Sequence, residues 1–403
     1  MEPSGIVIDQ PWLAADGADR IMRALTQGGG VVRFVGGCVR DALAGRPVRD
    51  MDMATDLLPD EVVRRLVAAD IRAIPTGIDH GTVTAVASGR PFEVTTLRVD
   101  VETDGRRAVV AFTDSWKEDA GRRDFTFNAL YCDPDGTVYD PTGGIADLKA
   151  GRVRFIGDPA QRIEEDALRI LRFFRFHAWY GAGALDADGL AACVARQADL
   201  DRLSVERVRA EMLRLLEAPD PLPTLRAMAH AGVLARVLPE ASSLHCLERL
   251  IGIGVSAPLL RLAALTSRRA DMLTTLADRW KMSSREKARL RGMAAGEASA
   301  PAGLPEAEAR QQIYWLGRDR FLDLVWLDWA ADGHDRRGLV DLAEDWAPPA
   351  FPVKGADLLG EGIAPGERMG ALLRALERQW VQEGFEPSRA ELLARLDTLD
   401  QAP

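Results

Sequence analysis

The sequence predicts an α+β chain, with a strand-rich head followed by a long all-helical remainder. Three observations carry that prediction. Between Val31 and about Val138, β-branched runs alternate with turns: VVRFV, GTVTAVA, PFEVTTLRV, AVVAFT and GTVYD. Short apolar runs bounded by turn residues mark a sheet with few helices. After PTGG at Pro141 the character changes, and from about Glu164 apolar residues recur at three- and four-residue spacing. Proline then breaks the helical part near Pro219–Pro223, near Pro301–Pro305 and at APPAFP (Ala347–Pro352).

Composition bounds the rest. A chain of 403 residues is long for one compact domain and suggests two or more. No apolar run approaches the roughly 18–20 residues that span a bilayer, so no membrane partner is expected. The N-terminal MEPSGIVIDQ has no basic region leading into an apolar core, so no secretory signal is expected. Cys38, Cys132, Cys193 and Cys246 lie far apart and form no CxxC pair, which suits reduced thiols in the cytosol. A net charge of −10 argues at first against a nucleic-acid partner. Local charge differs. Arg261, Arg268, Arg269, Arg279, Lys281, Arg285, Lys287, Arg289 and Arg291 are opposed only by Asp271, Asp278 and Glu286, a local excess of six. Five of the nine tryptophans fall between Trp280 and Trp346 and are expected in helical core rather than on base-stacking platforms.

Taken in order, Trp12 to Thr26 reads as an amphipathic helix closed by three glycines. Val31 to Val35 is a short apolar strand interrupted by Arg33, and Gly36-Gly37 hands it to a helix near Cys38. Such a turn lets a ligand approach the backbone and offers helix amides to an anion, with Arg40 in the first turn able to meet phosphate. In a strand, residues two apart share a face. Asp50 and Asp52 would then project together while Met51 and Met53 face the core. Carboxylates about 7 Å apart along one strand face repel unless a cation lies between them. A solvent-facing strand edge would also suit a lone Asp-x-Asp. With a phosphate-binding turn upstream, a magnesium-bound nucleoside triphosphate is the better reading. Glu93 in PFEVTTLR could add a third carboxylate or deprotonate an attacking hydroxyl.

These stretches also resemble a known family. GGCVRDALAGRPVRDMD, HGTVTAV from His80, RRDFTFNAL from Arg122 and EEDALRILRFFRF from Glu164 are similar to the motifs of class II tRNA nucleotidyltransferases. These are the CCA-adding enzymes of the polymerase-β-like superfamily, to which bacterial poly(A) polymerases are close relatives. A looser similarity, FPVKGADLLGEGIAPGERMGALL from Phe351, resembles their tail segment. The resemblance implies a polymerase-β-like head with a small mixed sheet, then an elongated all-α neck, body and tail. The divisions expected are residues 1–145, 146–218, 219–348 and 349–403. It implies Mg2+-dependent addition of C, C and A to the tRNA 3′ end from CTP and ATP in the cytoplasm, with no DNA partner. Gly36, Gly37 and Arg40 match its triphosphate turn, and Asp50 and Asp52 its metal ligands. Arg123, Asp124 and Asn128 match the segment that holds ribose and phosphates. Asp124 and Asn128, four apart, could meet a 2′-hydroxyl.

The stretch from Glu164 is read as one helix, with Asp166, Arg169, Arg172 and Arg175 in an i, i+3 row. Asp166 beside Arg169 offers an acceptor and donors that suit the amino group and ring nitrogen shared by cytosine and adenine. Uracil and guanine present the reverse order and would leave polar groups unpaired. Glu165 is expected to orient Arg169. Glu206, Arg207 and Glu211 in SVERVRAEML resemble the family's structural support motif. VDVETDGRRAVVAFTDSWKE, after Arg98, resembles the loop of full CCA-adding members. No histidine–aspartate cluster of phosphohydrolase type follows residue 220, so no appended phosphatase is expected. A bacterial poly(A) polymerase is the nearest alternative, and a partial, A-adding enzyme of the same family is another. An inert tRNA-binding protein conflicts with the presence of both aspartates, and a small-molecule nucleotidyltransferase leaves the helical part unexplained.

Overall fold

In a computed structural model of the chain, the structure describes residues 1–104, 107–296 and 298–396. Contacts divide it into two compact units, Met1–Pro239 and Glu240–Pro403.

Among the described residues the first unit holds ten strands: β1 (Pro3–Val7), β2 (Val32–Val35), β3 (Met53–Thr55), β4 (Arg72–Gly77), β5 (Thr82–Ala87), β6 (Arg90–Thr96), β7 (Arg98–Asp104), β8 (Arg107–Phe112), β9 (Tyr131–Cys132) and β10 (Thr137–Tyr139). Eight form one mixed sheet in the order β1-β10-β9-β2-β3-β6-β5-β4, and β7 with β8 forms a separate hairpin. Of the pairings in that sheet, β3 with β6 is parallel and the rest are antiparallel.

The strand runs expected from sequence are present, PFEVTTLRV divided at Leu97 between β6 and β7, and β1, β4 and β9 join them. β1 carries Pro3 and Gly5 and pairs only with β10 at one edge. β4 contains Pro75, which a central strand would not tolerate, and lies at the other edge. β9 has only two residues, too few to show a period. Arg33 interrupts β2 without weakening it, because its guanidinium pairs with Asp133 (2.8 Å) and lies over the Trp116 and Tyr139 rings.

Helices α1 (Asp16–Thr26), α2 (Gly37–Leu43), α3 (Pro59–Ala68) and α4 (Trp116–Gly121) punctuate the head. The helix expected from Trp12 starts later. Pro11 opens a short 3-10 turn through Ala14, Ala15 is non-helical (ψ 131°), and α1 then buries Ile21, Met22 and Leu25. Beyond the sheet come α5 (Gly144–Lys149), α6 (Pro159–Glu165), α7 (Leu168–Tyr180), α8 (Ala187–Ala195), α9 (Val205–Leu216), α10 (Leu222–His230) and α11 (Val233–Val237). The single helix expected from Glu164 is in fact two. Asp166 is extended (φ −154°, ψ 106°) and separates α6 from α7.

An aromatic cluster ties the Arg122–Leu130 segment to α7. The Phe125 ring lies 4.8 Å from Phe155, 5.3 Å from Phe176 and 6.4 Å from Phe173 by centroids, and Phe125 and Phe173 are wholly buried.

The second unit contains α12 (His245–Gly252), α13 (Pro258–Leu265), α14 (Ala270–Arg279), α15 (Ser284–Gly292), α16 (Glu306–Leu316), α17 (Arg318–Asp332), α18 (Arg337–Asp345), α19 (Gly355–Gly360), α20 (Glu367–Gln382) and α21 (Arg389–Leu393). The expected proline breaks separate α9 from α10, α15 from α16 and α18 from α19, with Pro223 already in the first turn of α10. Trp280 and Trp329 are buried, but Trp315 is 50% exposed, so the expectation of core tryptophans fails there. No helix of the described residues is long and apolar enough to cross a membrane. Phe125→Ala should leave a cavity and cost about 3–5 kcal/mol in denaturant unfolding. A loss under about 1 kcal/mol would contradict the role given to this cluster.

Candidate active site

The turn after β2 is shaped by backbone conformation. Gly36 has φ +71°, where an L side chain is strained, and its N–H donates to the Leu130 carbonyl (3.0 Å). A Cβ there would lie 3.5 Å from the Asn128 carbonyl oxygen and 3.6 Å from Arg123 Nη1, so space does not demand glycine but φ does. Gly37 opens α2, and Arg40 follows one turn later. Arg40 is turned inward, donating to Asn128 Oδ1 (2.6 Å) and Asp41 Oδ1 (3.0 Å) with its guanidinium over the Tyr180 ring.

Asp50 and Asp52 are exposed while Met51 and Met53 are buried, the alternation expected of a strand. The pair sits just before β3 rather than inside it, and the Asp52 carbonyl accepts from Val35 N–H (2.9 Å). The parallel register sets Met53 against Val94, so the preceding residues, Asp52 and Glu93, are neighbours. Although Asp52 is exposed, surrounding atoms partly desolvate its carboxylate. That desolvation and the charges of Glu93 and Asp50 push it up to about 6, while Arg123 pulls the other way. Hard carboxylate oxygens crowded in this way fit a hard divalent cation. Among the described residues no three His, Cys, Asp or Glu side chains enclose an ion by themselves. An ion held here would therefore draw further ligands from substrate oxygens or water.

The Arg122–Asn128 segment is a hydrogen-bonded network. Asp124 Oδ1 accepts from Asn128 Nδ2 (2.9 Å) and Phe125 N–H (2.9 Å), and Oδ2 accepts from Arg172 Nε (2.6 Å). Burial disfavours the Asp124 anion, but Arg172 and then Asn128 outweigh it and hold its carboxyl at about 2. Arg172 and Arg175 both reach Glu211 on α9, at 3.9 and 2.5 Å.

The break at Asp166 corrects the expected i, i+3 row. Asp166 Oδ1 accepts from Leu168 N–H (3.0 Å) at the start of α7, and Oδ2 accepts from Arg207 Nη2 (2.7 Å). Arg169 instead donates to Glu165, as expected of an orienting partner, and to the Arg162 carbonyl (2.7 Å). Arg162 bonds the carbonyls of Arg122 and Arg123, joining this corner to the preceding segment.

Sequence reasoning missed Asp119, Tyr131, Asp41 and Arg162 as parts of this site. Asp119 precedes the RRDF stretch closely, and that proximity was the one available signal. In the loop expected after Arg98, Gly105 and Arg106 lie outside the described residues, as do residues 397–403 of the tail.

In the second unit, the basic stretch does not form one charged face. Arg268 is buried on Asp328 (2.9 Å) and Arg279 pairs with Glu240 (2.6 Å), while Lys287 and Arg289 pair with Asp278 (2.5 Å) and Asp323 (2.8 Å). Helix α15 still directs Arg285 and Arg289 toward a cavity of about 990 Å3, together with Arg318 and Arg320. Lys287 and Arg291 line a second cavity, of about 470 Å3.

Comparison with known proteins agrees with this architecture. Residues 32–154 match the poly A polymerase head domain, and residues 184–244 match a probable RNA and SrmB-binding site of polymerase A. The chain is 35% identical to mitochondrial CCA tRNA nucleotidyltransferase 1 of Mus musculus, over 90% of this chain and 86% of that protein. It is 32% identical to the CCA-adding enzyme of Levilactobacillus brevis, over 93% and 95%. The structure of the Bacillus stearothermophilus CCA-adding enzyme in complex with CTP matches with TM-score 0.74 and 30% identity, over 94% of this chain and 97% of that one. The chain belongs to the family of CCA-adding tRNA nucleotidyltransferases, and the resemblance and the α+β fold class expected from sequence are borne out.

Because the fold raises the Asp52 pKa from 3.8 to about 6, ionising this group opposes folding, and stability is lost as pH rises through that window. Without divalent ions, Asp52→Asn should melt about 1–3 °C above wild type at pH 7.5, with a smaller gap at pH 4.5. Melting curves that show the same gap at both values would contradict this.

Proposed function

We propose that this protein adds C, C and A to the 3′ end of tRNA, taking CMP from CTP and AMP from ATP and releasing pyrophosphate. One observation carries the reading: Asp52 stands beside Glu93, in the field of Asp50 and Arg123, on the segment paired to the strand that enters the Gly36 turn. The chemistry is in-line attack of the 3′-hydroxyl on the α-phosphate. Asp50 and Asp52 would hold the divalent ion, and Mg2+ is our assignment because the donors are hard oxygens and the substrate brings phosphates. Bound there, the ion would stabilise charge on the attacking and leaving oxygens. Gly36 and Gly37 leave the backbone open to the polyphosphate, with Arg40 and Arg123 as its counter-charges. Glu93 would receive the proton of the attacking hydroxyl. Asp124 and Asn128 would orient the ribose, backed by Arg172 and Arg175.

For base choice, Asp166 would accept from the exocyclic amino group and Arg169 would donate to the ring nitrogen. Their separate anchors, Arg207 and Glu165, support this by fixing each side chain independently. We assign residues 1–145 to the catalytic head, 146–218 to the base-selecting neck, and 219–348 and 349–403 to a body and tail that grip tRNA through shape and phosphates. The basic residues of α15 support the last assignment. A cytosolic location fits the four free thiols.

The test supplies tRNAs ending before CCA, after C and after CC with single nucleotides and magnesium, and sequences the products. Stepwise C, C and A are expected; a long A-tail on unstructured RNA from ATP alone would contradict the reading. Asp52→Ala should lower incorporation at least about 1,000-fold with tRNA affinity unchanged within about twofold. Asp166→Ala or Arg169→Ala should erode discrimination against U and G by about 10–100-fold, and unchanged fidelity in both would refute the base-reading role. Reversing the charges of Arg285, Lys287 and Arg291 should raise the KM for tRNA about tenfold and flatten its salt dependence.

A further inference from the structure

Asp119, on α4, is 1% exposed, so its carboxylate is closed to a nucleotide and meets the proposed site through the side chains it holds. It gathers donors from three elements. Its carboxylate accepts from Arg98 N–H (3.4 Å) at the root of β7, from Arg122 Nε (2.8 Å), and from Tyr131 Oη (2.7 Å) on β9. It also accepts from Arg123 twice, Nε at 3.2 Å and Nη2 at 2.9 Å. Arg123 is further confined by the Tyr131 ring, 5.5 Å from its guanidinium carbon. With Nε and Nη2 held by one carboxylate oxygen, the remaining edge of the guanidinium lies beside Gly36, Nη1 standing 3.6 Å from where a Cβ would be. A fork bound along one edge by a buried carboxylate has little rotational freedom left.

We propose that Asp119 is a positioning residue for nucleotide binding: it fixes Arg123 beside the Gly36 turn and ties that guanidinium to the root of the β7–β8 hairpin, without touching the nucleotide itself. The proposal rests on the reading of the turn as the triphosphate site. Burial works against the Asp119 anion, but Arg123 and Arg122 outweigh it and hold its carboxyl at about 2, so the anchor is ionised throughout the working range.

A double-mutant cycle on the full-length protein tests this. Asp119→Asn keeps the shape and an acceptor but removes one carboxylate oxygen. Its affinity for CTP, measured with magnesium and without tRNA by equilibrium dialysis, should fall about tenfold or more. Affinity for tRNA should stay within about twofold. In an Arg123→Ala background the same substitution should change CTP affinity by less than about twofold, because the residue through which it acts is gone. Equal losses in both backgrounds, or no loss of CTP affinity in the single variant, would overturn the proposal. Should Asp119→Asn fail to fold, Tyr131→Phe removes one donor to Asp119 and enters the same cycle. It should cost about threefold in CTP affinity, again only when Arg123 is present, and a loss that persists without Arg123 would overturn the proposal. Wild-type CMP incorporation into a tRNA lacking CCA tests the functional reading separately.

Discussion

Two carboxylates that face the same space repel, and the parallel register of β3 with β6 forces Asp52 and Glu93 into that position. Hydrogen bonding between the strands fixes the spacing, so the repulsion cannot be relieved by sliding one strand past the other. The surrounding architecture answers this constraint. Arg123 supplies a cation near Asp52 and is itself held by a buried carboxylate. β2 presents its end to Asp52 through a backbone hydrogen bond and then turns through Gly36, the one residue of the turn whose φ requires glycine. The acidic pair and the Gly36 turn are thus two consequences of one strand arrangement.

A second constraint joins the turn to the helices. From Asp41 through Arg40, Asn128, Asp124 and Arg172 to Glu211, each polar group meets the next, and the path crosses from α2 to α9 within the first unit. Partly satisfied polar networks are costly in a low-dielectric interior, whereas satisfied ones specify a single geometry. Beneath this path the aromatic cluster around Phe125 makes the apolar contacts of the same junction. The groups assigned to the triphosphate and those assigned to the base therefore belong to one packed body, and a change at Asp124 or Arg172 would be felt in both.

Much of this was legible in the sequence, because alternation and glycine placement are local. Met51 and Met53 against Asp50 and Asp52 announced which way the carboxylates face, and the strand before Gly36 was plain from Val31 onward. What failed did so through non-local causes. The Glu164 stretch has helical periodicity throughout, but Asp166 leaves the helix to cap α7 and meet Arg207, 41 residues later in the chain. The edge strands β1 and β4 carry proline or glycine and gain their pairing only from the sheet beside them. Asp119 has no local signal beyond its closeness to the RRDF stretch, because its partners arrive from Arg98 and Tyr131 on other elements. In the basic stretch, counting charges overlooked that Arg268 and Arg279 are neutralised by acids outside the segment.

The central claim is that these neighbouring carboxylates are a divalent-cation site shared with a nucleotide. Manganese binding to the full-length protein with CTP, followed by paramagnetic resonance, addresses it directly. Wild type should take up the ion with CTP present, and Asp52→Asn should lose most of that binding; uptake of the same stoichiometry and affinity in both proteins would contradict the account.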